Sequence, residues 1–271
     1  MSDINTSSIL LESLLELERK AVGIKFIFEK EEYDEFKANT IDNMMAYCTI
    51  VRNASQGKSY KVCLKNFACL GAAMALGLLK PNNGTISGKR RSENGSYKDL
   101  CISRSLSRDM VYCHHEIYGV GIMPLEQYEE NPDVVIIITD PYNAMRIIQG
   151  NAYHNGQAKG IKMAGMQALC QECTSFPFET NEINISMMCS GTRLLAQWKR
   201  DELAIGIPFN KFATILDGIK QTVNPLERNP QKKIIEKKLK ENNLEGTLNI
   251  EYNKNYDDGA YIGIKGLDNY K

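Results

Sequence analysis

Eight cysteines stand in a chain of 271 residues whose first segment, MSDINTSSILLESLLELERK, is acidic and amphipathic. It lacks the basic start and apolar run of a secretory signal, so a cytoplasmic location is expected. Disulfides seldom persist in reducing cytosol, which directs these thiols toward metal binding or redox chemistry. The alternative is service as small buried hydrophobes. Four of them, Cys48, Cys69, Cys170 and Cys189, fall where apolar structure should meet a turn or a helix end.

The surroundings of these four differ in what they offer a sulfur. Cys48 lies in a helical segment that ends near Gly57. Cys69 opens a helix of very small residues (Gly71, Ala72, Ala73, Ala75), where free N–H groups favour a thiolate and little bulk prevents close approach. The same smoothness suits a tight helix–helix contact. Cys170 and Cys173 form a CxxC at the end of a helical pattern carried by Ile161, Ala164, Met166 and Leu169. A helix end disfavours a thiolate, which argues against a thioredoxin-type dithiol. Metal ligation survives that objection, because the metal's own charge stabilises the sulfur. Cys173 is the reserve for Cys170.

Cys189 ends a strand on a Ser190-Gly191 turn whose N–H groups can donate to sulfur or to an anion. Arg193, one turn further on, could offset negative charge there or join a surface ion pair. Cys63, Cys101 and Cys113 lack such settings and are expected to be non-ligands.

Other motifs exclude function classes. Adjacent side chains in Cys113-His114-His115-Glu116 diverge, and three histidines without metalloprotease spacing make a mononuclear His site improbable. Gly84 to Lys89 has the wrong spacing for a phosphate loop and no apolar strand before it. Tyr118 to Pro124 lacks the third glycine of a dinucleotide turn. Lys+Arg and Asp+Glu balance at 33 each, which removes a general drive toward nucleic acid or membrane surfaces. No apolar run approaches the ~20 residues that span a bilayer.

These side chains need elements to hold them. Leu spacing over 7–20 predicts a first helix, followed by a strand at 21–28 and a helix at 30–37. Val134 to Thr139 reads as a buried strand, and Asp140-Pro141 starts a helix after it. Leu203 to Ile207, Pro208 and the helical spacing of Phe212, Ile215, Leu216 and Ile219 repeat that strand–turn–helix unit. Cysteine-bearing helical regions are expected at 44–79 and 157–173, an exposed loop at 80–98 and a strand at 183–188. A charged helix near 230–242 and strands at Leu248–Tyr252 and Ala260–Ile264, joined at Asp257-Asp258-Gly259, complete the chain. The expectation is one α+β domain over 1–271, with similar halves at approximately 14–130 and 131–222 and a C-terminal helix plus strand pair over 223–271.

From about Leu14 to about Ile219 the sequence resembles the family known as domain of unknown function 169. The resemblance rests on Ala21-Val-Gly-Ile-Lys25, Tyr47-Cys48 with Ala54 and Gly57, and Cys69-Leu-Gly71 with Leu76-Gly77-Leu78. It continues through Pro141-Tyr-Asn-Ala144, Cys170-Gln-Glu172 and Cys189-Ser-Gly-Thr-Arg193 followed by Ile207-Pro208. It brings no catalytic role with it. The residues themselves allow three readings.

In the first, Cys48, Cys69, Cys170 and Cys189 ligate an iron–sulfur cluster of the 4Fe–4S kind in an oxygen-sensitive electron-transfer or reductive component. Ser190, Gly191 and Arg193 then face the cluster or a small anionic ligand, and a redox protein is the partner. Cubane ligands would place their sulfurs roughly 6–7 Å apart, with bonds of about 2.3 Å by analogy with zinc thiolates. The second reading is structural zinc, which more often arrives as two close cysteine pairs. The third is a non-enzymatic small-molecule-binding or interaction domain with packing cysteines, its pocket between the Gly/Ala helix and the Cys189 turn.

Overall fold

A computed structural model describes residues 3–244 together with Gly246 and Leu248. The expected C-terminal strand pair, Leu248 apart, lies outside the described residues. The chain starts with α1 (Ile4–Leu15), β1 (Val22–Ile27), α2 (Lys30–Glu35), β2 (Asn39–Thr40), α3 (Tyr47–Ala54), β3 (Tyr60–Cys63) and α4 (Leu70–Ala75). Three helices follow, α5 (Asn83–Ile86), α6 (Lys89–Glu93) and α7 (Leu100–Asp109), and then β4 (Gly119–Pro124), β5 (Val134–Thr139) and α8 (Pro141–Asn155). A π-helix (Ala168–Ser175) leads into α9 (Phe176–Thr180), β6 (Asn184–Ser186), α10 (Ser190–Ala196), β7 (Leu203–Pro208), α11 (Phe209–Leu226) and α12 (Asn229–Glu241).

The seven strands form one sheet in the order β2-β3-β4-β1-β5-β7-β6, antiparallel except where β2 meets β3. Helices cover both faces, and the fold is α+β. The period-2 alternation of a strand decides which side chain faces which layer. Along β5, Val134, Ile136 and Ile138 join one core, while Val135 and Ile137 join the other. Such a strand reads as an unbroken apolar run because neither of its faces meets water.

The second core lies under α1, α8, α11 and α12. Asp140 caps α8 by accepting from the Asn143 N–H at 3.0 Å, with Pro141 in the first turn. Helices α8 and α11 cross at Gly150 and Gly218, where a Cβ on Gly218 would strike the backbone of Gly150. Beside the crossing, the fully buried Arg146 guanidinium is ion-paired with Glu227 and donates to Thr222 at 3.2 Å.

The first core lies under α3, α4, the π-helix and α10, so every cysteine-bearing element of interest shares one face. Three contacts seat the π-helix there. A Cβ on Gly206 of β7 would strike the Cys173 backbone, so only glycine lets the helix lie so close. The Glu172 carboxylate, 1% exposed, accepts the N–H groups of Ala164 (2.7 Å) and Gly165 (3.2 Å) and the Ser186 hydroxyl. The Asn184 side-chain amide donates to the Glu172 carbonyl at 2.8 Å.

Several sequence expectations are corrected. Residues 80–98 are not all loop: Asn82 caps α5 through the Thr85 N–H at 2.9 Å, and α6 starts from Gly88 at φ +74, packed on the Ser103 backbone. The region 44–79 contains β3 as well as helices. The two-glycine stretch at 118–124 is β4, where Gly119 and Gly121 make room for the rings of Tyr33 and Phe36. No helix among the described residues is long and apolar enough to cross a membrane.

Two stability measurements test this account by urea unfolding. In Gly218→Ala the steric cost of about 1–3 kcal/mol should outweigh the roughly 1 kcal/mol of helix propensity that alanine adds. Glu172→Ala leaves two N–H groups and a hydroxyl without their acceptor, and should destabilise by about 1–3 kcal/mol or more. Stability at or above that of the parent in either variant would contradict the packing described.

Candidate functional site

Four short helices begin at the four singled-out cysteines. Cys48 is the second residue of α3, Cys69 caps α4, Cys170 is the third residue of the π-helix, and Cys189 caps α10. Each lies in or beside a first turn, where backbone N–H groups have no intrahelical acceptor. For Cys170 this reverses the expected placement at a helix end. Residues 157–167 are not helical, because Gly156, Gly160 and Gly165 take φ of +70, +72 and +63 and break the pattern.

Two side chains clip these starts together in pairs. The Thr192 N–H donates to the Cys189 sulfur at 3.3 Å, and its hydroxyl lies 3.0 Å from the same atom. That hydroxyl also hydrogen-bonds Cys48, so one threonine bridges α10 and α3. Gln167, in the left-handed region at φ +52, precedes the π-helix and donates its amide to the Gly71 carbonyl at 2.6 Å. It thereby ties the start of α4, with Cys69, to the start of the π-helix, with Cys170. The Gln167 carbonyl oxygen accepts from Arg91 at 2.5 Å and from the Tyr112 hydroxyl at 3.1 Å.

The thiols act on one another electrostatically. Burial raises the Cys170 thiol well above its usual range, and Cys69, Cys189 and Cys48 raise it further. Burial and then Cys189 push Cys48 up to about 11; Cys69 adds to this and the Thr192 hydrogen bond opposes it. Burial raises the Tyr47 hydroxyl too, with smaller contributions from Cys170, Cys173 and Cys48. That hydroxyl is paired with Thr174 at 2.8 Å. Two buried sulfurs, Cys48 and Cys170, and two part-buried ones, Cys69 and Cys189, thus lie within electrostatic reach of one another, all as free thiols. Among the described residues, no group of three or more His, Cys, Asp or Glu side chains is placed to hold a single metal ion.

The remaining cysteines lie elsewhere. Cys173 turns toward β7; burial and then Glu172 raise its thiol, and the three distant sulfurs do not act on it. Cys113 faces the His115 carbonyl at 3.6 Å, and burial pushes its thiol up to about 12. Cys63 lies beside Asn66 at 3.4 Å, and Cys101 is exposed on α7. Ser190 and Gly191 form the first turn of α10, and a Cβ on Gly191 would reach the Cys189 sulfur at 3.9 Å. The Arg193 guanidinium donates to backbone carbonyls, to Met187 at 3.0 Å, to Glu202 at 2.9 Å and to Lys199. It braces the loop on either side of α10, in place of the surface ion pair or sulfur-facing charge the sequence suggested.

Thr192 and Gln167 escaped the sequence reading. A threonine three residues after a cysteine has the spacing of a cap, which is the signal that could have found the first. Nothing local marks Gln167, whose partners Gly71 and Arg91 are 96 and 76 residues away.

The chain is 25% identical over 221 residues to an uncharacterised protein, MJ0308, of Methanocaldococcus jannaschii, covering 81% of this chain and 94% of that one. No solved structure matches it. Residues 10–218 match the family described as uncharacterised ArCR, domain of unknown function 169, and the chain belongs to that family.

Proposed function

We propose that this protein is an iron–sulfur protein in which Cys48, Cys69, Cys170 and Cys189 hold one cluster, and that it works as an electron-transfer or reductive component. The observation that carries the reading is the gathering of these four thiols, from four chain-distant helix starts, into mutual electrostatic reach within one core. Cys113 and Cys173 lie in the same apolar core, yet the sulfurs that act on both Cys48 and Cys170 are Cys69 and Cys189. A cluster is favoured over zinc because zinc thiolates usually arrive as two close cysteine pairs, whereas these four come from four separate segments.

Such a cluster, when bound, supplies one-electron chemistry. The chain's own part is to hold the sulfurs, exclude water and set the local field. The Thr192 N–H is positioned to donate to the Cys189 sulfur, and the N–H groups of Ser190 and Gly191 are the nearest further donors. Arg193 contributes by holding that turn rather than by its charge.

Anaerobically purified protein should be brown, absorb broadly near about 400 nm, and contain iron and acid-labile sulfide. Serine at Cys48, Cys69, Cys170 or Cys189 should each lower bound iron by more than half, while Cys63→Ser, Cys101→Ser and Cys113→Ser leave it unchanged. Stoichiometric zinc without sulfide would replace the cluster by a zinc site. Protein free of both metals would leave the four cysteines as packing residues of a binding domain, and iron loss in a control variant would show a different ligand set.

A further inference from the structure

One hydroxyl stands between two of the four sulfurs. The Thr192 side-chain oxygen lies 3.0 Å from the Cys189 sulfur and also hydrogen-bonds Cys48. Two sulfurs bonded to the same oxygen stand within two hydrogen-bond lengths of each other. Helices α3 and α10, which carry them, pack directly together, and the Thr49 hydroxyl donates to the Leu195 carbonyl at 3.4 Å. Of the sulfurs that act on Cys48, Cys189 acts more strongly than Cys69. Cys170 feels Cys69 before the other two, and Cys173 turns away toward β7. Cys48 and Cys189 are therefore the pair joined through a single bridging side chain.

Their exposure gives the two sulfurs different parts. Cys48 is buried, while Cys189 is part-exposed. A Cβ built on Gly191 would come near nothing except the Cys189 sulfur, at 3.9 Å, so the approach past Gly191 is open. The Thr192 N–H, at 3.3 Å, holds that sulfur in place. A small oxidant meets Cys189 first, with Cys48 behind it. A sulfenic acid formed beside a second thiol condenses with it to a disulfide.

We propose that Cys189 and Cys48 are a peroxide-reactive dithiol, in which Cys189 attacks a hydroperoxide and Cys48 closes the disulfide. The Cys189 sulfur bonds to one peroxide oxygen, the O–O bond breaks, and the other oxygen leaves as water with the Cys189 proton. The Cys48 sulfur then attacks the sulfenic sulfur, the S–O bond breaks, and the departing hydroxide takes the Cys48 proton. The two thiols give two electrons to hydrogen peroxide, and one disulfide and two waters result. In reducing cytosol such a bond is transient and redox-sensing rather than structural. The reaction needs no metal; under the proposed function it withdraws two of the four cluster ligands, so disulfide and cluster exclude each other.

Hydrogen peroxide itself is the probe. Full-length protein purified without oxygen, its iron and zinc measured first, is treated with peroxide, blocked with iodoacetamide and digested without reductant for mass spectrometry. A Cys48–Cys189 disulfide should be the predominant linkage at any metal content, and dithiothreitol should reverse it. Cys48→Ser should leave Cys189 as a sulfenic acid that dimedone labels, and Cys189→Ser should leave Cys48 reduced. Gly191→Val, at a position of ordinary helical backbone, puts bulk beside the sulfur. It should slow the oxidation severalfold in protein whose circular dichroism matches the parent. A predominant linkage through Cys69 or Cys170, no disulfide at all, or an undiminished rate in folded Gly191→Val would each overturn the proposal. The iron content decides the cluster reading separately, whichever linkage is found.

Discussion

The Glu172 carboxylate is the constraint from which the cysteine face takes its shape. An ionisable group that is almost wholly buried is tolerated only when its oxygens are occupied. Two N–H groups from the stretch before the π-helix and a hydroxyl from β6 meet that demand. Because those donors come from two separate segments, one before the π-helix and one in β6, the carboxylate ties the π-helix to both. The motif Cys170-Gln-Glu-Cys173 is then distributed around the helix by geometry alone. Cys170 faces the other sulfurs, Gln171 lines a cleft beside the end of α7, Glu172 meets its donors, and Cys173 packs on the bare backbone of Gly206. Treating the pair as one CxxC unit misses this, since its two thiols serve different neighbours.

The two faces of the sheet divide the work. Under α8 and α11, a glycine–glycine crossing and a buried, hydrogen-bonded ion pair lock long helices against β5 and β7. A buried pair of this kind contributes little net stability, but losing one partner is costly, so it enforces a single packing. The opposite face carries short helices, each too brief to be stable alone. They are held by contacts such as Gln167 to Gly71, which joins the π-helix to α4, and by the Glu172 carboxylate.

What was legible in the sequence follows from the range of the forces involved. β5 with α8 and β7 with α11 could be read because local signals agree: an apolar run, a proline at the turn, then helical spacing. Cys48, Cys69, Cys170 and Cys189 could be singled out because a thiol beside small residues or a turn is also a local pattern. β4 was hidden because Gly119 and Gly121 are chosen for the rings of Tyr33 and Phe36, not for strand propensity. The stretch 157–167 kept helical spacing in its apolar residues, yet three glycines with positive φ override it. The bracing by Arg193 was hidden for a related reason, since its partners are backbone carbonyls, which no sequence marks. The clip made by Gln167 joins residues far apart in the chain and was beyond local reading altogether.

Charge supplies the last step. Burial, and then the neighbouring sulfurs, push the Cys48 and Cys170 thiols up, which disfavours a thiolate at either position. Thiolates there would need compensating positive charge. Of the nearby cations, Arg193 is committed to three carbonyls, and Arg91 to Ser107 and Gln167. Neither is available as a counter-ion for sulfur. Arg52, in the last turn of α3, has a buried Nε with no hydrogen-bond partner among the described residues; helix-start N–H groups and whatever binds the sulfurs add to the compensation a set of thiolates requires. Under the proposed function a cationic metal core would meet that requirement directly, whereas a bare cysteine nucleophile would depend on the protein's own charges and N–H groups.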